Sequence, residues 1–160
     1  MTRRAILILS TTFAAGLLFV NVYNSLIDAQ SWGSDIPSSI QTARDYFKSV
    51  NPGNFFRVFS PINQVLALLA LILCWKVNKR VRILCALALF FAVISDVFTM
   101  AYFFPRNDIM FFSSISENLE SIKSAWGEWS SMNWLRSFLV LTNLAFDFAA
   151  FIYLLKESKS

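Results

Sequence analysis

Four long apolar runs constrain this chain more than any other feature. A bilayer's hydrocarbon core takes about 20 apolar residues in a helix. Ala5–Ile27, Pro61–Val77, Arg82–Phe104 and Trp134–Leu155 all qualify, the second with help from Phe55, Phe56 and Phe59 just before it. In lipid a backbone must satisfy its own hydrogen bonds, so each run is read as a helix. The expected fold is an all-α membrane protein: a single integral membrane domain over 1–160, built as a four-transmembrane-helix bundle. Composition agrees. Of 160 residues 56% are hydrophobic and only 15% charged, against about 25% charged in soluble chains. Arg3 and Arg4 precede the first run, as in a signal peptide. That run is too long for a signal's apolar region and no clear Ala-x-Ala site follows, so it is read as a span.

Basic residues set the expected direction. Arg3, Arg4, Lys76, Lys79, Arg80, Arg82, Lys156 and Lys159 flank the spans on one side, against Glu157 alone. The two long loops carry Arg44, Lys48, Arg57, Arg106, Lys123 and Arg136 but also Asp28, Asp35, Asp45, Asp108, Glu117, Glu120 and Glu128. The positive-inside rule then puts both termini in the cytoplasm and both loops outside; in a bacterium this would be the plasma (inner) membrane. The net charge of +4 reflects this topology and not a nucleic-acid surface. Cys74 and Cys85 are isolated and read as packing residues on the reduced side.

Both outer loops show helical periodicity. Ile36, Ile40, Ala43, Phe47 and Val50 share a face, with Pro37 and Ser38 as a start and Asn51–Gly53 as a stop. Ile115, Leu119, Ile122, Trp126 and Trp129 repeat the pattern. Both are expected to be amphipathic helices over the outer mouth or in the interface, with Trp126, Trp129 and Trp134 in an aromatic belt.

The spans also carry polar residues that need a reason, because a charge at the bilayer centre costs about 2.5–3.5 kcal/mol on insertion scales. In the fourth span Asn133, Arg136, Val140, Asn143 and Asp147 step by three and four along one face. In the third, Asp96, Thr99 and Phe103 share a face. Asn21, Asn24 and Asp28 line the end of the first, and Asn63 and Gln64 lie early in the second. The expected interior is polar and opens outward, with Asp96 and Asp147 deep enough to face each other. Two readings compete. The polar groups hold the bundle together by hydrogen bonds across helices. Alternatively they line a site for a small lipophilic molecule, where Asp96 or Asp147 takes a proton. Arg136 either reaches the interface or anchors an anionic group or Asp108, and Asn107 after Pro105 fits a helix cap.

Three stretches carry a resemblance: GLLFVN (Gly16–Asn21), Thr99 with PRN (Pro105–Asn107), and Trp129, Asn133 and Arg136 in WSSMNWLR. With them the chain resembles the anthrone oxygenase-like family of small four-span membrane proteins. By resemblance, some relatives oxidise an anthrone to an anthraquinone with molecular oxygen and no evident metal or flavin, while many others have no known activity. The chain has no histidine, so a histidine base is ruled out. The resemblance implies Asp96 or Asp147 as the base and Asn107, Asn133 and Arg136 as stabilisers of the oxyanion. Asn21, Asn63, Thr99, Trp129 and Asn143 complete the expected site, with no metal and no cofactor. The alternative is a non-enzymatic membrane protein that binds a lipid or a protein partner.

Overall fold

The computed structural model describes residues 2–157; Lys159 of the basic tail lies outside them. The chain is an all-α four-helix bundle. Its helices are α1 (Thr2–Gly33), α2 (Ser38–Tyr46), α3 (Pro52–Cys74), α4 (Lys79–Phe112) and α5 (Ile115–Glu157). All but α2 are long and apolar enough to cross a membrane. In the bundle α5 sits between α1 and α4, and α3 closes the ring between α4 and α1, diagonal to α5. Helix termini follow the local sequence. Asn51 and Asn54 form a reciprocal capping box with Pro52 in the first turn of α3. Asn78 Oδ1 accepts from Val81 N at 2.7 Å to start α4. The NPG triplet therefore opens α3 and does not close the preceding helix; proline's missing N–H costs nothing in a first turn.

Small residues let the spans approach closely. Ala14, Ala67, Ala70 and Ala88 are fully buried, while Phe19, Phe90 and Phe138 point outward toward lipid. At the end carrying the termini, Leu7, Ala70, Cys74, Val81, Cys85, Ala150 and Leu154 form one apolar cluster. Both cysteines are free and buried there.

The opposite end, which carries the long loops, differs from the sequence expectation. The second amphipathic segment is no separate helix: it continues into the fourth span as α5, which kinks at Asn118. At 43 residues, α5 is about 64 Å long, twice the hydrocarbon thickness. Its first half rises beyond the membrane beside the ends of α1 and α4. There Ala29, Trp32, Ile40, Ala43, Phe103, Met110, Ile122, Ala125 and Trp129 make a second apolar core. Trp126 and Trp129 belong to this cap and not to an interfacial belt: Trp129 is buried, and Trp126 Nε1 donates to Ala29 O at 2.8 Å. Trp134 is half exposed, as a belt residue would be. Gly33 is required here, because a Cβ would lie 2.0 Å from the Trp126 ring. Arg44 fastens α2 to α4, donating from Nε and Nη2 to Met110 O and from Nη1 to Ser113 O; burial draws its pKa down from the ordinary guanidinium value. Arg106 ties α4 to α5 by an ion pair with Glu128 and stacks on Tyr102. Packed aromatic side chains thus gather at the loop end, beside the polar interior.

Candidate functional site

Two π-helical turns interrupt the long helices, at Asn24–Asp28 in α1 and Thr99–Phe103 in α4. Such turns redirect side chains and recur at functional sites. Pro105 follows the second turn, within the first turn of the resumed helix. The helix therefore runs on through Pro105, and Asn107 is a mid-helix residue and not a cap. The Phe103 ring is fully buried, edge-on to Trp129 at 5.5 Å.

The polar residues separate into three groups by depth. At mid-membrane Asn143 is a hub. It accepts from Asn63 Nδ2 across the bundle diagonal at 3.1 Å and donates to Ala88 O of α4 at 3.0 Å and to Asp147 Oδ2 at 3.4 Å. Ser10 Oγ of α1 donates to the same Asp147 oxygen at 2.7 Å. Every spanning helix is joined through these two α5 residues. Nearer the loop end, Asn133 Nδ2 donates to Asn21 O at 3.0 Å and to Ser25 Oγ at 2.6 Å, beside the first π turn. Both groups do what interhelical polar residues do in lipid, joining helices by hydrogen bonds.

The third group surrounds a cavity. Its lining includes Asn21, Phe56, Ser60, Asn63, Ser95, Asp96, Thr99, Arg136 and Asn143. Its volume is about 20 Å³, which holds about one water. Asp96 accepts from Gln64 Nε2 at 2.5 Å. Arg136 is 5% exposed and forms no ion pair among the described residues. Neither Asp96 nor Asp108 pairs with it. Its Nε and Nη2 have no hydrogen-bond partner, nor do Asn21 Oδ1 and Asn63 Oδ1. Three rings surround its guanidinium: Phe103 at 4.5 Å, Phe56 at 5.0 Å and Trp129 at 5.7 Å. Each such contact contributes about 0.5–2 kcal/mol. Removing an ion from water costs several kcal/mol, so the rings offset only part of the burial.

Of the residues read from sequence, Asp96, Asn21, Asn63, Thr99, Arg136 and Asn143 line this cavity. Asp147, Asn107, Trp129 and Asn133 do not. The two carboxylates do not face each other: Asp147 is fixed by Ser10 and Asn143, Asp96 by Gln64. Asn107 Oδ1 is buried without a partner in the cap region. Sequence reasoning missed Ser10, Ser25, Ser60, Ser95 and Phe56. The serines on α1 had a readable signal, because Leu7, Ser10, Ala14, Leu17 and Asn21 step by three and four and are all buried. No group of three metal-ligating side chains occurs among the described residues. Comparison with known proteins finds no matching family, curated protein or solved structure.

Proposed function

We propose that the cavity between α1, α3, α4 and α5 is a ligand site for a small lipophilic molecule bearing an oxygen function, and that the protein acts on it as a cofactor-independent oxygenase. The observation that carries this reading is that a buried guanidinium and a carboxylate line one cavity without pairing to each other. The orientation that goes with it places both termini in the cytoplasm, from the distribution of Arg and Lys, and the cap outside.

The chemistry follows the anthrone oxygenase-like resemblance. The substrate carries a CH₂ conjugated to an aryl ketone. Asp96 takes one proton from that carbon, and the electron pair spreads onto the ketone oxygen. Arg136 stabilises the resulting oxyanion in a dry setting where such contacts are strongest. The carbanion gives one electron to oxygen, and superoxide and carbon radical combine to a peroxide. Asp96 returns its proton to the outer peroxide oxygen, then takes the second C–H proton as that bond's electron pair forms the new C=O and the O–O bond breaks, and passes it to the departing hydroxide to give water. The balance is substrate plus O₂ to quinone plus water. Asp147, held by Ser10 and Asn143 outside the cavity, keeps a bundle-joining role in this scheme.

A ring system needs far more than the observed volume, since small-molecule pockets run to about 300–1,000 Å³. The proposal therefore requires Phe56, half-buried in the cavity wall, to swing aside. The same small volume favours a second reading, a non-enzymatic protein that holds only part of a lipid. Oxygen uptake by the purified, folded protein with anthrone decides between them. Uptake that disappears in Asp96→Asn supports the enzyme. A folded protein with no uptake leaves the binding function.

A further inference from the structure

The two unpartnered nitrogens of Arg136 are its Nε and Nη2. They share one edge of the guanidinium plane, the edge whose parallel N–H bonds match the two oxygens of a carboxylate. A scattered pair of orphan donors would suit a water or a carbonyl; this pair is a fork. The depth is also specific. Arg136 lies 20 positions before Lys156 on α5, about 30 Å along the helix, which is one hydrocarbon thickness. The fork thus sits level with the interface, where the head of a membrane amphiphile rests.

Access follows from the walls. The cap residues Phe103 and Trp129 lie beside the guanidinium on the loop side. Toward lipid the cavity is bounded by Phe56, half-buried and 5.0 Å from the Arg136 guanidinium. Phe56 meets Phe55 edge-on at 5.4 Å, and Phe55 stacks on Phe59 at 4.4 Å. Phe59 in turn reaches Phe13 of α1 at 5.8 Å, and it is exposed. These rings form one connected row from the cavity wall to the contact between α3 and α1. A head group passing Phe56 leaves its chain beside this row of rings in the bilayer, so the small cavity has only a few atoms to admit.

We infer that this site takes the carboxylate of a long-chain amphiphile from the bilayer, seated on the Nε/Nη2 edge of Arg136 and admitted past Phe56. Asp96 lines the same cavity with Asn21 and Asn63, whose Oδ1 atoms are buried without a partner. They disfavour a head group with more than one negative charge, which selects a carboxylate over a phosphate monoester. This inference rests on the proposed ligand site but not on the oxygenation.

The test uses the full chain in nanodiscs of neutral phosphatidylcholine, with binding read by native mass spectrometry. Three probes of equal chain length are compared: palmitate, hexadecanol and hexadecyl phosphate. One palmitate per chain is expected, bound at least about tenfold more tightly than either other probe: hexadecanol forfeits the charged fork bond, and the second negative charge of hexadecyl phosphate is repelled by Asp96. Arg136→Lys keeps the charge and removes the fork, and it should weaken palmitate by about tenfold or more. Phe56→Trp should weaken it too, by enlarging the side chain in the cavity wall. Equal binding of alcohol and acid overturns the inference, as does tighter binding of the phosphate or a Lys variant that binds as well. The wild-type comparison stands even if a variant fails to fold. Palmitate binding with silent oxygen uptake defeats the oxygenase and supports this inference. Uptake that runs unchanged at saturating palmitate defeats this inference and spares the oxygenase.

Discussion

The Asn63–Asn143 bond crosses the bundle diagonal, and its removal should reveal whether the mid-membrane hub holds the fold together. Asn143→Leu deletes three hydrogen bonds: from Asn63 Nδ2, to Ala88 O and to Asp147 Oδ2. Interhelical bonds in lipid average about 0.6 kcal/mol each, so the bonds themselves account for about 2 kcal/mol. The change also strands Asn63 Nδ2 in a buried site, at about 1–3 kcal/mol. The expected loss is about 3–5 kcal/mol. Asn63→Leu deletes one bond and strands Asn143 Oδ1, for about 2–3 kcal/mol. In the double variant neither orphan remains and the shared bond is lost only once, so its cost, about 2 kcal/mol, should fall about 3–6 kcal/mol short of the sum. Reversible unfolding in mixed micelles, followed by circular dichroism as the denaturing detergent fraction rises, measures all three. Strictly additive losses, or a cost below about 0.5 kcal/mol for Asn143→Leu, would refute the hub.

Three further outcomes check other parts of the molecule. Gly33→Ala forces a Cβ into the Trp126 ring and should cost about 1–3 kcal/mol by overpacking, with faster amide exchange in the cap but not in α3. Arg44→Met removes the donors that reach Met110 O and Ser113 O; charged bonds contribute about 1.5–3 kcal/mol, so exchange protection over 38–46 should drop by at least tenfold while the spanning helices keep theirs. Asp96→Asn preserves shape and should leave the melting temperature within a few degrees, yet it should lower any oxygen uptake by at least about 10²-fold, the usual contribution of a positioned base.

The stripe on α5 was legible because a spacing of three and four has one meaning on a helix. Asn133, Arg136, Val140, Asn143 and Asp147 all proved buried. Their partners were harder to read. A serine in a membrane helix can bond its own preceding turn and leave no mark in the sequence, as Thr11 and Thr12 do with Leu7 O and Ile8 O. Only the depth of Asp147 turns Ser10 into a link between helices. The NPG triplet was ambiguous for a local reason, since proline follows helix ends and also begins helices. The outer tryptophans were misplaced for a global one. Periodicity marks a helical face but does not say where the bilayer stops, so a belt and a cap look alike until α5 is seen to run through both. The π turns had no sequence signature that composition or spacing exposes.

Depth separates what the polar residues do. Asp147, near mid-membrane, is the costlier charge to place, and it is the one held by two side-chain donors on one oxygen. Arg136 lies where snorkelling toward the interface would be easy, yet it is 5% exposed and turned under the cap. An arginine kept for solubility or topology would reach water from that position. Phe103, brought in by the second π turn, and Trp129 from the cap lie beside the guanidinium instead. The fold therefore departs from regular helix geometry at a point that holds a cation inside with its carboxylate-matching edge unfilled. A purely structural role for Arg136 makes a distinct forecast: Arg136→Met should lower the melting temperature, because the contacts with three rings are lost. A ligand role predicts a gain in stability instead, as replacing buried charges with apolar side chains often gives, together with loss of palmitate binding, and a more stable Met variant that still binds palmitate would show that the cation does not hold the ligand.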